Sequence, residues 1–229
     1  MVADRYPTSA DCRRGSMRLA IWTCTETLAL SDGSMRHSQL SLFGAPETMS
    51  LPEGFNYKDD ILSSDEERVL VEQIAKLPFK EFQYRGFLGK RRVVSFGWRY
   101  DFNTRELNTA ENIPEFLLPV RTTAGNFAGL DSDELQQALV TEYAAGAGIG
   151  WHKDRPEFGD IIGISLLAPC VFRLRRKIGT KWQRASIVAK PRSVYFMRGP
   201  ARQEWHHSIP PLDTLRYSIT FRTFRASKG

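Results

Sequence analysis

One segment near the C-terminal end of the chain alternates strictly between polar and apolar side chains. Successive residues of an extended strand point to opposite faces. The two faces consist of Arg216, Ser218, Thr220 and Arg222 on one side and Leu215, Tyr217, Ile219 and Phe221 on the other. We expect the apolar face in the core between two sheets. Two arginines inside a small β-structure are strongly destabilising unless an anion fills the space beside them. The segment therefore predicts a sheet protein with an internal anion site, suited to forked hydrogen bonds with a dicarboxylate.

Three further residues form a candidate metal site. His152 and Asp154 stand in the run Gly150–Asp154, and His207 follows in the run Trp205–Pro210. Residues at i and i+2 of a strand point to the same side, so His152 and Asp154 can share one ion. Two imidazoles and one carboxylate hold non-haem Fe(II) on one face and leave the other face open for oxygen. His206 is the alternative to His207.

The order H-x-D, then W-x-H-S-x-P, then R-Y-S-I-T-F-R resembles the AlkB group of Fe(II)- and 2-oxoglutarate-dependent dioxygenases. The resemblance covers roughly residues 50 to 225 and is densest from Glu142 to Phe224. It implies an oxidoreductase with Fe(II) and 2-oxoglutarate as cofactors. It also implies an α+β fold, a double-stranded β-helix (jelly roll) with N-terminal helices packed on one side. In the family a small and an apolar residue follow the second histidine, which favours His207.

The resemblance also implies which residues bind 2-oxoglutarate. Arg216 corresponds to the residue that holds the far carboxylate, and Arg222 to one near the end that chelates iron. Tyr143 matches a family tyrosine that bonds the same cofactor, although it can equally be a core aromatic. Thr141 stands where the family often has asparagine, and its hydroxyl replaces that amide with fewer hydrogen bonds.

One departure from the family concerns substrate recognition. Several nucleic-acid repair members carry H-x-D-x-D, and the second aspartate reads the exocyclic amine of the damaged base. Pro156 occupies that position here. Either Glu157 or Asp160 takes over the role, or the enzyme reads a different base.

The charge distribution favours an anionic partner. The net charge is +6, and the pI is near 9.3. Eight basic residues and no acid lie between Arg173 and Arg192, and five basic residues alternate with five aromatic ones between Tyr84 and Tyr100. Cations that bind phosphates and rings that stack on bases are what a nucleic-acid groove needs. The alternative is a pair of solvated hairpins.

The second of these segments is the candidate nucleotide-recognition lid, at about residues 84–105. Trp98, with Phe96 or Tyr100, would stack on a flipped base, and the ring of His152 would form the opposite wall. Arg91 and Arg92 would hold phosphates. The alternative is a hairpin that belongs to the core.

The sequence divides into a flexible tail, residues 1–45, and a dioxygenase domain, residues 46–229. The tail contains Gln39, Leu40, Ser41, Leu42 and Phe43. This peptide resembles the one by which bacterial proteins dock on the replicative sliding clamp, with Leu42 and Phe43 entering an apolar pocket. Alternatively, it packs on the domain as a first strand.

Composition indicates a cytoplasmic monomer. No apolar run approaches the roughly 20 residues that cross a membrane. The three cysteines are an odd number and match no zinc pattern, which suits a reducing compartment.

The pattern predicts helices first and strands later. A helix opens at Ser64, with Ser64 and Glu67 as a capping box. Its apolar stripe consists of Val69, Leu70, Ile74 and Leu77. A second helix spans residues 113–127. The predicted strands are residues 87–92, 93–102, 135–143, 161–167, 170–176, 185–189, 193–197 and 216–224.

These observations predict oxidative demethylation of N-alkylated bases in DNA or RNA, with release of succinate, CO2 and formaldehyde. The partner would be single-stranded nucleic acid or a flipped base. Three alternatives remain. The chain acts specifically on tRNA, it demethylates or hydroxylates a protein side chain, or it is a clamp-tethered nucleic-acid binder that has lost turnover.

Overall fold

Residues 50–84 and 87–225 are described by a computed structural model. The predicted tail, its peptide from Gln39 to Phe43 and the domain boundary at residue 46 lie outside these residues. The helices are α1 (Ser64–Ile74), α2 (Leu118–Ala128) and α3 (Gly199–Gln203), with 3-10 turns at Glu115–Leu117 and Ser132–Glu134. The strands are β1 (Phe55–Lys58), β2 (Lys80–Tyr84), β3 (Phe87–Phe96), β4 (Trp98–Asp101), β5 (Glu106–Thr109), β6 (Gln137–Tyr143), β7 (Ile149–His152), β8 (Phe158–Leu166), β9 (Cys170–Ile178), β10 (Lys181–Ala189), β11 (Ser193–Met197), β12 (His206–Ile209) and β13 (Arg216–Phe224).

The strands form two main antiparallel sheets. The larger has the order β1-β11-β8-β13-β6-β3-β2, and the smaller has the order β10-β9-β12-β7. β4 and β5 pair with each other in a separate hairpin. From β6 onward the chain passes back and forth between the two sheets, which is the connectivity of a double-stranded β-helix. The predicted α+β jelly roll is confirmed, and its crossings bring residues far apart in sequence to facing positions.

The helices cover one face of the seven-stranded sheet, as predicted. Leu70 and Ile74 of α1 and Val120 of α2 pack against Ile219 and Phe221 of β13 in one apolar core. The expectation that the apolar face of β13 lies between the sheets is therefore wrong. Both faces of this strand are buried, and the space between the sheets takes the polar face instead.

The start of α1 lies one residue from its predicted position. The N-cap is Ser63, whose Oγ accepts from the amide of Glu66, while the Glu66 carboxylate accepts from the Ser63 amide. Glu67 is buried instead and accepts hydrogen bonds from the Leu167 amide at 2.8 Å and from Arg192 Nη1 at 3.2 Å. Val69 was placed in the apolar stripe, but half of its surface is exposed.

The predicted break between two strands at residue 92 is also wrong, because β3 continues to Phe96. The break comes at Gly97, where φ is +72° and an added Cβ would lie 2.1 Å from the Gln136 carbonyl oxygen. Only glycine fits this close approach without displacing the backbone. The predicted bounds of β11 and β13 are confirmed.

Within the part of the chain that the structure describes, no helix combines the length and the apolar character that a membrane span requires.

Candidate active site

The smaller sheet brings the two histidines of the candidate metal site together. His152 on β7 lies opposite His207 on β12, and their ring centroids are 4.2 Å apart. Asp154 follows β7 directly, and one ligand atom from each of the three residues lies within 4.8 Å of the other two. His207, and not His206, belongs to this group, and its role as the iron ligand stays a prediction. His206 lies on the opposite face of β12, where its ring meets the edge of Trp182.

Hydrogen bonds orient the first ligand. His152 Nδ1 lies 2.9 Å from the Gly150 carbonyl oxygen, to which it donates, so Nε2 is left with a free lone pair. His207 Nε2 lies 3.4 Å from Asp154 Oδ2. His207 Nδ1 is buried and has no hydrogen-bond partner among the described residues.

Arg222 holds the ligating carboxylate. Its Nε and Nη2 donate to Asp154 Oδ1 at 3.1 and 2.7 Å, and its Nη1 donates to Gln137 Oε1 at 2.8 Å. Oδ2 is thereby left on the side of His207. The sequence placed Arg222 beside 2-oxoglutarate, whereas in the structure its donors are engaged by Asp154 and Gln137. Its contact with the cofactor stays a prediction.

The protonation states suit a metal site. Burial lowers the pKa of His207 to about 3 and also lowers that of His152, so both rings are neutral at physiological pH. Burial alone would raise the pKa of Asp154, but the charges of Arg222 and Arg202 hold it well below its ordinary value. The group thus offers two neutral nitrogens and one ionised oxygen. This donor set fits Fe(II) and leaves other coordination positions for small ligands.

A cavity of about 1150 Å³ connects the metal group with the polar face of β13. Arg216 in its lining is 1% exposed, and its Nε donates to Ser165 Oγ at 3.1 Å. Its Nη1 is buried without a partner among the described residues. Because an unpartnered buried guanidinium is destabilising, this corner fits a carboxylate. Tyr143 and Thr141 are buried and line the same cavity, and the Arg216 guanidinium lies 5.1 Å from the Tyr143 ring centroid.

Sequence reasoning missed Arg202 on α3. This side chain is 4% exposed and donates to four carbonyl groups, two in the loop after β7 and two at the start of β8. Its acceptors are the carbonyl oxygens of Gly159 at 2.9 Å, Phe158 at 2.8 Å, Arg155 at 2.6 Å and Asp154 at 3.5 Å. One guanidinium therefore fixes the loop that carries the metal carboxylate. No local pattern separates Arg202 from its exposed neighbour Arg198.

The structure brings some of the predicted nucleic-acid contacts to the cavity. Besides the three metal-site residues and β13, the lining of this cavity includes Arg91, Tyr100, Phe82 and Trp151, and we call these residues its outer part. The Arg91 guanidinium lies 3.7 Å from the Phe82 ring centroid.

Two residues of β3 face the other way because neighbours on a strand alternate. Arg92 forms a forked ion pair with Glu142 on the helix side, with distances of 2.7 and 2.9 Å. Phe96 is 3% exposed in the core beneath the helices. These placements contradict the prediction that Arg92 binds phosphate and that Phe96 stacks on a base.

Trp98 and the acidic candidates also lie outside the cavity lining. Trp98 packs edge-on against Phe224, with ring centroids 5.4 Å apart. Glu157 lies beside Arg155 at 3.3 Å, and Asp160 pairs with Arg198 at 2.9 Å. The cavity lining contains Arg155 instead, which hydrogen-bonds the Tyr100 hydroxyl. The cavity lining thus contains the cation Arg155, whereas the sequence predicted an acidic residue that reads the base.

Comparison with known proteins gives a match to one family model. The model, described as the 2OG-Fe(II) oxygenase superfamily, matches residues 54–222. An Arabidopsis thaliana relative, "Alkylated DNA repair protein ALKBH8 homolog", is 29% identical over 60% of this chain and 47% of its own length. The mouse relative, "tRNA (carboxymethyluridine(34)-5-O)-methyltransferase ALKBH8", is 28% identical over 76% of this chain and 27% of its own. The chain thus spans about half and about a quarter of these relatives.

A solved structure, "The structure of OsALKBH1", supports the fold. It matches 76% of this chain and 98% of its own with a TM-score of 0.56 and 17% sequence identity.

Proposed function

Because the chain belongs to the 2OG-Fe(II) oxygenase superfamily and is an AlkB-like dioxygenase that uses Fe(II) and 2-oxoglutarate, we propose that it removes N-alkyl groups from bases of DNA or RNA. One observation carries this proposal: a single cavity joins the metal group to an outer part lined by aromatic rings and arginines. Rings stack on unpaired bases and arginines bind phosphate, so this outer part suits a nucleotide.

The inner part of the cavity would hold the cofactors. His152, Asp154 and His207 would bind Fe(II), and Arg216 would bind the distal carboxylate of 2-oxoglutarate through its unpartnered Nη1. When bound, iron and 2-oxoglutarate supply the oxidation, in which one oxygen atom of O2 enters succinate, the other enters the N-methyl carbon, and CO2 and formaldehyde leave. Arg222 keeps the Asp154 carboxylate ionised and fixed through two hydrogen bonds.

The outer part would hold the substrate. Tyr100 would lie against the flat base, and its own position is held by Arg155, whose guanidinium lies 4.2 Å from the Tyr100 ring centroid. Arg91 would bind a phosphate. The aromatic lining would exclude water around the alkyl carbon.

A second candidate is a reaction on tRNA. The mouse relative's name specifies a tRNA enzyme, although this chain spans about a quarter of it. In addition, Arg155 in the cavity lining donates hydrogen bonds and therefore favours a base that offers carbonyl oxygens over one that offers an amine. Oxidation of a protein side chain is disfavoured because Arg91, Arg99 and Arg155 all line the cavity.

The experiment is a competition between substrates. The full chain is loaded with Fe(II) and 2-oxoglutarate without oxygen, then supplied with oxygen and a mixture of methylated single-stranded DNA, duplex DNA, single-stranded RNA and folded tRNA. Formaldehyde and the masses of the products are measured, and unmethylated strands of the same sequence are the control. We expect mass loss of one methyl group from at least one nucleic acid. Decarboxylation of 2-oxoglutarate without formaldehyde from any of them would refute the proposed substrate class.

A further inference from the structure

The outer face of the four-stranded sheet carries cations and indole rings that the reaction at the metal does not use. We call this surface the Arg–Trp face; its members are Trp151, Arg173, Arg175, Lys177, Trp182, Arg184 and His206. None of the four strands contains Asp or Glu. The helices α1 and α2 pack on the other sheet, and on this face Trp182 is 37% exposed and Arg184 is exposed.

Arg175 connects the two edges of this face. Its guanidinium carbon lies 4.3 Å from the ring centroid of Trp151 on β7 and 4.4 Å from that of Trp182 on β10. Stacking of this kind holds a guanidinium in place and leaves its edge free for hydrogen bonds. Arg175 Nε is buried and has no hydrogen-bond partner among residues 50–84 and 87–225. A guanidinium that two indole rings hold in place, on a sheet whose strands contain no acid, favours an anionic ligand.

The Arg–Trp face adjoins the cavity through Trp151. This residue lines the cavity and also lies under the guanidinia of Arg175 and of Arg173, the latter at 5.1 Å. It directly precedes the metal-site residue His152 in β7. A nucleic acid that leaves the cavity at Trp151 therefore meets the cations of β9 without passing over a β-strand that contains Asp or Glu.

We infer that the Arg–Trp face binds the nucleic-acid strand that extends from the nucleotide in the cavity. Arg175, Arg184 and Lys177 bind its phosphates, and Trp182 stacks on a base. The inference rests on the proposed function and names its substrate more closely: a nucleic-acid strand that extends several nucleotides beyond the nucleotide that reacts. An acidic peptide would match the charge but offers no succession of flat rings to the exposed indole.

The test measures binding without turnover. The full chain, loaded with Fe(II) and 2-oxoglutarate in the absence of oxygen, is titrated with fluorescein-labelled, unmodified single-stranded RNA or DNA of about 15 nucleotides, within the range of site sizes of single-strand binders. A trinucleotide is the short probe. The variants are Lys177→Gln with Arg184→Gln, and Trp182→Ala. The matched control, which we call the α1 control, is Arg68→Gln on α1 with Lys76→Gln just after its end, and it removes the same charge from exposed positions.

The double variant is expected to bind the long probe about tenfold more weakly. The slope of log affinity against log salt should fall by about 1.4, because each lost phosphate contact on a single strand contributes about 0.7. Trp182→Ala should weaken binding about tenfold, since the base would lose the indole on which it stacks. The variants of the Arg–Trp face should bind the trinucleotide with unchanged affinity. The α1 control should bind the long probe with unchanged affinity.

Unchanged affinity and slope in the variants of the Arg–Trp face would overturn the inference. An equal loss in the α1 control would also overturn it, because it would show that total charge alone matters. The probes carry no alkyl group, so a failure of demethylation leaves this result untouched. Conversely, if the chain demethylates a nucleic acid but these variants bind the long probe normally, only the inference about the Arg–Trp face is refuted.

Discussion

The two main sheets of the sandwich differ in what covers their outer faces. The seven-stranded sheet is backed by α1 and α2 over a continuous apolar core, whereas the outer face of the four-stranded sheet carries arginines and indoles. Their inner faces also differ: the larger sheet supplies Arg216 and Arg222, and the smaller supplies both histidines. The helices cover one apolar core, so the space between the sheets holds polar groups beside a second apolar cluster that includes Phe172 and Tyr195. We therefore expect mutations beneath the helices to lower the free energy of unfolding, and mutations between the sheets to lower cofactor binding and turnover.

The largest effect is expected from His207→Ala on the inner face of the smaller sheet. Loss of one of three ligands should remove iron binding and reduce turnover below detection, because within residues 50–84 and 87–225 no further His, Cys, Asp or Glu belongs to the group. His206→Ala is the matched control, since it removes the neighbouring ring on the outer face. Bound iron and 2-oxoglutarate turnover are measured. Iron binding that depends on His206 but not on His207 would contradict the assignment.

Arg216→Met separates the role of the larger sheet from that of the smaller. Removing a buried charge partner costs about 2–5 kcal/mol, so the KM for 2-oxoglutarate should rise at least about 30-fold. Iron binding should remain, because the hydrogen bond of Arg216 goes to Ser165 and not to a residue of the metal group. Iron titration and 2-oxoglutarate kinetics are compared in the same preparation. An unchanged KM for 2-oxoglutarate would contradict the anion site.

The difference between the outer faces is tested by truncating one apolar residue on each. Ile219 is fully buried beneath the helices, so Ile219→Ala should lower the free energy of unfolding by about 2–5 kcal/mol. Val188 on β10 is 53% exposed, so Val188→Ala should change it by no more than about 0.5 kcal/mol. Urea unfolding of both variants gives the values. Similar losses in the two variants would contradict the difference between the two outer faces.

The smallest effect is expected from Arg202→Lys, which keeps the charge but cannot reach four carbonyl groups at once. We expect about tenfold weaker iron binding, as for other groups that orient metal ligands. The KM for 2-oxoglutarate should not change, because the hydrogen bonds of Arg202 go to the segment from Asp154 to Gly159 and not to Arg216. The control is Arg198→Lys, which alters an exposed pair with Asp160. A lower melting temperature with unchanged iron affinity would show a purely structural role for Arg202.

The sequence predicted the parts of the site that follow from strand alternation. The bounds of β13 needed only a period of two residues. His152 and Asp154 lie in one group as well, but Asp154 comes after the end of β7, so strand alternation does not position it. Which face of a strand meets which layer depends on tertiary packing, so Phe96 and Arg92 were placed on the wrong side of β3. The start of α1 was ambiguous locally, because Ser63 and Ser64 each precede a glutamate by three residues. Gln137 and Arg202 act through contacts between distant segments, which no local pattern reveals.

The last strand in chain order, β13, occupies the centre of the larger sheet, between β8 and β6. Until it inserts, those two neighbours expose unpaired edges, and the chain lacks both the guanidinium beside Asp154 and the one at the anion corner. During synthesis on the ribosome, we therefore expect cofactor binding to arise only when this strand has emerged, together with closure of the sheet. A nascent chain stalled before Arg216 would present a sheet with a gap through its middle and no competence to retain a keto acid.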